Sequence, residues 1–111
     1  MASTTLGTGM FDLTGKKALV TGGSRGLGKG FALALARAGA DVVVTARKKE
    51  DLAGTVAEIR SLGREAYGVA LDVREEASIR EGVGEVYEAI GELDILVNNA
   101  GCNVRKPALE V

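Results

Sequence analysis

Short apolar runs alternate along this chain with segments of helical period, and no other feature of the sequence restricts the fold as strongly. Residues 17–20, Lys-Ala-Leu-Val, suit a strand buried on both faces, as parallel sheets require. A helix is expected from Gly26, with Leu27, Phe31, Ala34, Leu35 and Ala38 on one buried face and Gly39 ending it. Asp41 opens a β-branched run over 42–45, the clearest strand signal in the chain. The spacing of Leu52, Val56, Ile59 and Leu62 predicts a helix over residues 50–62, closed by Gly63. A third strand is expected over 66–71. After Asp72, residues Ile79, Val83, Val86, Tyr87 and Ile90 stand at helical spacing up to Gly91, and 93–97 read as a fourth strand. The order β-α-β-α-β-α-β with short connections implies right-handed crossovers and an open, doubly wound α/β sheet with parallel strands.

A chain of 111 residues fits one domain, read here as a disordered tail over 1–10 and a single unit over 11–111. With 46% hydrophobic and 26% charged residues it can bury a core and stay soluble. Lys plus Arg is 14 and Asp plus Glu is 15, giving a net charge of -1, and the basic residues form no long block. Neither nucleic acid nor an anionic membrane is therefore an expected partner. Without histidine, and with Cys102 as the only cysteine, the chain lacks an internal disulfide, the usual zinc ligand sets and a His-based triad. The greasiest stretch, 31–44, is interrupted by Arg37 and Asp41, so no bilayer span is expected. The N-terminus lacks the basic start and apolar run of a secretory signal, and a cytoplasmic location is the expectation.

Between the first run and the first helix lies Thr21-Gly22-Gly23-Ser24-Arg25-Gly26-Leu27-Gly28. A turn this tight needs glycine where φ is positive or where a Cβ would strike a ligand. It gathers bare backbone N–H groups and a helix N-terminus at one point, which is a site for phosphate. Gly22 would allow the turn off the strand, Gly26 the close approach of a pyrophosphate, and Gly28 tight packing of the helix on the sheet. A glycine trio alone also describes a flexible turn, but the strand before it and the helix after it favour a binding loop. A Walker-type loop is excluded, because no Gly-Lys-Ser/Thr follows.

The second strand carries the next clue. In sites that prefer NAD, a carboxylate near its end bonds the adenine ribose 2′-OH. Here the strand runs into Ala46-Arg47-Lys48-Lys49, with no acid before Glu50. Arg47 would attract a 2′-phosphate that a carboxylate would repel, and Arg25 in the glycine loop can approach it from the other side. Two charge-assisted bonds of about 1.5–3 kcal/mol each would favour NADP(H) over NAD(H) by roughly 10²–10⁴. Asp72, ending the third strand, can accept a hydrogen bond from an adenine amino group. It can equally cap the following helix, since Asp72 with Glu75 resembles a capping box.

Thr21-Gly22-x-x-x-Gly26-x-Gly28, then Leu71-Asp72-Val73, then Asn98-Asn99-Ala100-Gly101 together resemble the short-chain dehydrogenase/reductases, from Phe11 to the C-terminus. Among them, the basic residue before the second motif glycine resembles the NADP-preferring members, such as 3-oxoacyl-carrier-protein reductases and gluconate 5-dehydrogenases. The resemblance implies a Rossmann-type sheet that is truncated after the fourth strand. It implies that Ser24, Arg25 and Leu27 line the phosphates and ribose, and that Asp72 and Val73 contact the adenine. Asn99, Ala100 and Gly101 would form the end of the fourth strand beside the cofactor. It also implies a small carbonyl or alcohol substrate and, for full-length members, a homo-oligomer.

The family's chemistry uses a Tyr, a Lys four residues later, an upstream Ser and a further Asn. Tyr67 is followed four residues on by Leu71 and Tyr87 by Gly91, so no Tyr-x-x-x-Lys exists and no catalytic residue is assigned. Both tyrosines read as packing residues. Cys102 reads as a small apolar filler, and Arg105 as a residue that could reach an acidic substrate. In the family two long helices cover the sheet beyond the fourth strand; without them Ile95, Leu96 and Val97 would lie on an uncovered, association-prone edge. The expectation is therefore the cofactor-binding half of an NADP(H)-dependent oxidoreductase, inactive alone. The alternative is a non-catalytic NADP(H)-binding module. A methyltransferase is disfavoured, because that fold usually ends its second strand in an acid.

Overall fold

In a computed structural model of the chain, which describes residues 12–99, the β-branched runs pair into one parallel sheet of strand order β3-β2-β1-β4. The strands are β1 (Lys17–Thr21), β2 (Asp41–Ala46), β3 (Ala66–Ala70) and β4 (Ile95–Asn98). Register is set by side-chain alternation: Ala18 and Val20 pair with Val42 and Val44, while Leu19 pairs with Val43. Each strand of the inner pair is buried along both faces, so helices must cover both. Helices α1 (Gly26–Arg37) and α2 (Ala53–Ser61) cover one, where Ala18, Val20, Val42 and Val44 meet Ala32, Ala36 and Ile59. Helix α3 (Glu76–Ile90) covers the other, where Leu19, Val43 and Val69 meet Val86. The sheet is doubly wound, as the alternation of runs requires.

The element boundaries differ in detail from the sequence expectation. A 3₁₀ turn, Lys49–Leu52, precedes α2, so the α-helix proper starts later than residue 50. Helix α3 starts at Glu76, and strand β4 at Ile95 rather than residue 93. The expected glycines do follow the helices: Gly39, Gly63 and Gly91 all have positive φ.

The larger correction concerns which helix faces are buried. In α1 the face on the sheet is Gly28, Ala32 and Ala36, while Leu27 is 68% exposed and Phe31 and Ala34 also lie outward. The helix sits close to β1 and β2, and only small side chains fit between them. Leu35 packs against the core and Ala38 is half-buried, so the stripe that hydrophobic periodicity predicts is right in part and wrong at Leu27, Phe31 and Ala34. In α2 the buried positions are Thr55 and Ile59, with Val56 half-buried; Leu52, in the 3₁₀ turn before it, is buried and Leu62, just after it, is exposed. In α3 Gly82 and Val86 face the sheet, while Ile79, Val83 and Tyr87 are exposed, so Tyr87 is not a packing residue among the described residues. Tyr67 does pack, against the Leu19–Val86 cluster, with its hydroxyl donating to Glu65 Oε1 at 2.7 Å. Of the apolar residues of β4, Leu96 is left open, at 59% exposure, while Ile95 and Val97 pack against the core.

Candidate functional site

From β1 the chain winds outward through β2 to β3, then crosses back to place β4 on the other side of β1. The strand order reverses between β1 and β4, and in open α/β sheets ligands bind outside the strand carboxyl ends at such a reversal. Thr21 and Asn98 stand opposite one another there, with the Thr21 hydroxyl 3.1 Å from Asn98 Oδ1. The glycine loop follows Thr21 directly.

Each loop glycine meets a different demand. Gly22 and Gly26 have φ of +69° and +62°, where a side chain is strained. A Cβ on Gly23 would lie 2.7 Å from Val44 Cβ. A Cβ on Gly28 would overlap the Gly22 carbonyl oxygen and lie 2.6 Å from Asn99 Nδ2. Gly28 thus lets α1 close onto the backbone at the end of β1. At Gly26 the space where a Cβ would point is open. Arg25, the N-cap of α1, is extended and makes no side-chain cap bond, and the first turn holds no acid. The amides of that first turn are left without a side-chain acceptor, the condition under which a helix start attracts an anion.

Around this loop lies an open cleft of about 1290 Å³ lined by Gly22, Ser24 and Arg25, by 45–48 and Asp51, and by 71–74. It brings together six of the expected site residues: Gly22, Ser24, Arg25, Arg47, Asp72 and Val73. Gly26 and Gly28 do not line it. Asn99 touches the loop from behind, its Nδ2 donating to the Gly22 carbonyl at 3.2 Å. Leu27 is exposed and does not line the cleft, and Ala100 and Gly101 lie outside the described residues, as do Cys102 and Arg105. The sequence reading missed Lys48, Asp51 and Arg74 as lining residues; adjacency to Arg47 and to the Leu-Asp-Val motif was the available signal.

The cleft is cationic. It holds Arg25, Arg47, Lys48 and Arg74 against Asp51 and Asp72. Among the described residues Arg25, Arg47 and Lys48 enter no ion pair, whereas Arg74 does. Arg74 Nε and Nη2 donate to the two oxygens of Asp72 at 3.0 Å each, and its backbone N–H adds a third bond. The Arg74 guanidinium beside it holds the Asp72 carboxyl down to about 2, with Arg74's amide and the more distant Arg47 adding to the effect. Helix α3 begins beyond Glu75, so Asp72 is not its N-cap and the capping-box alternative is overturned. Its backbone N–H donates instead to Ser78 Oγ at 2.8 Å, which fixes the turn out of β3. The carboxylate therefore ends β3 in the cleft, as an acceptor.

Residues 16–111 match the sequence pattern of the short chain dehydrogenases. The chain belongs to that family. Gluconate 5-dehydrogenase of Gluconobacter oxydans (strain 621H) is 40% identical over 91% of this chain and 40% of its own length. Among solved structures, a short-chain type dehydrogenase/reductase from Mycobacterium marinum superposes with a TM-score of 0.79 at 40% identity, covering 91% of this chain and 41% of that one. The 2-keto-3-deoxy-D-gluconate dehydrogenase of Streptococcus agalactiae gives 0.73 at 44% identity, over 91% and 38% respectively. The chain thus spans 35–40% of the length of such curated relatives. Among the described residues no helix is long and apolar enough to cross a membrane, and no group of His, Cys, Asp and Glu is placed to hold a metal.

Proposed function

We propose that the cleft binds NADP(H) in preference to NAD(H), and that the whole protein moves a hydride between this cofactor and a carbonyl or secondary alcohol of a small molecule. The observation that carries the reading is a set of cations, Arg25, Arg47 and Lys48, unpaired among the described residues, beside a glycine loop that opens a helix with no side-chain cap. The residues fit the group. The amides of the loop and of the first turn of α1 would hold the pyrophosphate, Arg47 and Arg25 would hold the 2′-phosphate, and Asp72 with Val73 would meet the adenine. The bound nicotinamide supplies the hydride chemistry, and the chain's own part is to hold and orient it. Asn99 keeps the loop in shape by its bond to Gly22.

Arg47→Asp tests the preference. Titration followed by NADPH and NADH fluorescence should show NADPH affinity falling by roughly 10–150-fold, the loss of one charge-assisted bond, with NADH affinity held or improved. Equal losses for both cofactors would remove the basis for the preference. The alternative reading, a non-catalytic NADP(H)-binding module, uses the same cleft and the same cations. Both readings expect this chain to bind without turnover. Carbonyl reduction by the chain alone would overturn that expectation.

A further inference from the structure

We propose that Thr55, on α2, is a positioning residue that holds the glycine loop in the conformation its ligand needs. The inference rests on the reading of the cleft as a dinucleotide site. Thr55 lies between apolar positions of α2 and is itself 1% exposed. A buried threonine in a helix commonly returns its hydroxyl to a carbonyl of the preceding turn. Here the hydroxyl reaches out of the helix and donates to the Gly23 carbonyl at 2.8 Å, with the Ser24 carbonyl at 3.5 Å. The amide of Gly23 is held as well, donating to the Thr45 carbonyl at 2.9 Å, and the residue has no room for a Cβ against Val44. Gly23 is therefore fixed from both sides, by β2 and by α2.

The consequence lies in the next peptide. The described chain contains no cis bond, and in a trans peptide the C=O and the following N–H point in opposite directions. The Gly23 carbonyl is drawn inward to Thr55, so the Ser24 N–H is directed outward, toward the cleft that Ser24 lines. A hydroxyl buried on the far side of the loop thus aims a backbone donor at the ligand side. Without it the Gly23 carbonyl would be buried with no partner, and the peptide would gain by turning over toward solvent.

The test compares the chain with T55V, which keeps the shape and removes the hydroxyl, and T55S, which keeps the hydroxyl. Amide hydrogen exchange across residues 22–26 is followed in the free chain, and NADPH binding by fluorescence, at a temperature where thermal melts show each variant folded. Expected for T55V is faster exchange confined to the loop and an NADPH Kd raised roughly 5–100-fold, the loss of one buried hydrogen-bond partner. T55S should stay within about twofold of the parent, since its donor is the same. If T55V leaves exchange or Kd unchanged, or if T55S falls as far as T55V, the positioning role is overturned. Should T55V not fold, T55C replaces it, because a thiol is a far weaker donor at similar size. If the parent chain binds no NADPH, the cofactor reading fails, yet the exchange comparison of T55V with T55S still decides whether Thr55 holds the loop.

Discussion

Asp72 shows how much one residue of the site depends on its neighbour. Three bonds from Arg74 stabilise its charged form, so an adenine amino group would meet a carboxylate already holding a guanidinium. The same bonds make a prediction about stability. A carboxyl held low in the folded state contributes fully above its ordinary value of 3.8 and loses that contribution as pH falls toward about 2. D72N should therefore show a shallower fall of Tm than the parent across that acid window, and the same slope above it. Some acid dependence should remain in the variant. Asp41 is pushed up by burial, but bonds from Lys17 and from the Glu65 amide outweigh it and keep its carboxyl low. Identical slopes for parent and variant from pH 3.8 downward would mean the Asp72–Arg74 pair is not formed in solution.

At the scale of elements, what could be read in advance depended on which physical signal carried it. The strands were legible because β-branched runs buried on both faces have no polar alternation to confuse them, as at Val42, Val43 and Val44. The loop was legible because Gly22 and Gly26 need positive φ, a demand few other residues meet. The α1 stripe was legible only in part: Leu35 does pack against the core, but close helix–sheet approach selects small residues and leaves Leu27 and Phe31 outside. Thr55 was not legible at all: nothing in its sequence neighbours says that its hydroxyl serves a loop 32 residues away. The observed packing of α1 is testable by paired substitutions. A32L would force extra methylenes between α1 and the sheet, at a cost of about 1–3 kcal/mol. For a domain of this size that lowers Tm by roughly 4–8 °C per kcal/mol. L27S, at an exposed position, should change stability by no more than about 0.5 kcal/mol. A larger loss from L27S than from A32L in thermal melts would restore the stripe that hydrophobicity alone predicts.

The whole molecule is nearly neutral, with a net charge of -1, yet it concentrates four cations against two acids in one cleft. Long-range attraction of an anionic ligand is therefore weak, and any electrostatic preference must come from charges close to the phosphate. Two of the four cations, Arg25 and Arg47, were expected there from sequence; Arg74 is largely committed to Asp72. The extra 2′-phosphate distinguishes NADP(H) from NAD(H), so only the difference between the two affinities reports on these cations. Screening lengths fall from about 10 Å at 0.1 M salt to about 3 Å at 1 M, short enough to weaken solvent-exposed pairs. The NADPH-to-NADH affinity ratio should thus shrink at least ~3-fold over that range, while NADH binding changes less, because its loop contacts come from backbone amides. Fluorescence titrations of both cofactors at 0.1 M and 1 M potassium chloride would measure it. A ratio that does not move with salt would mean that shape, rather than the charge of Arg25, Arg47 and Lys48, sets the preference, and the cationic cleft would then need another ligand.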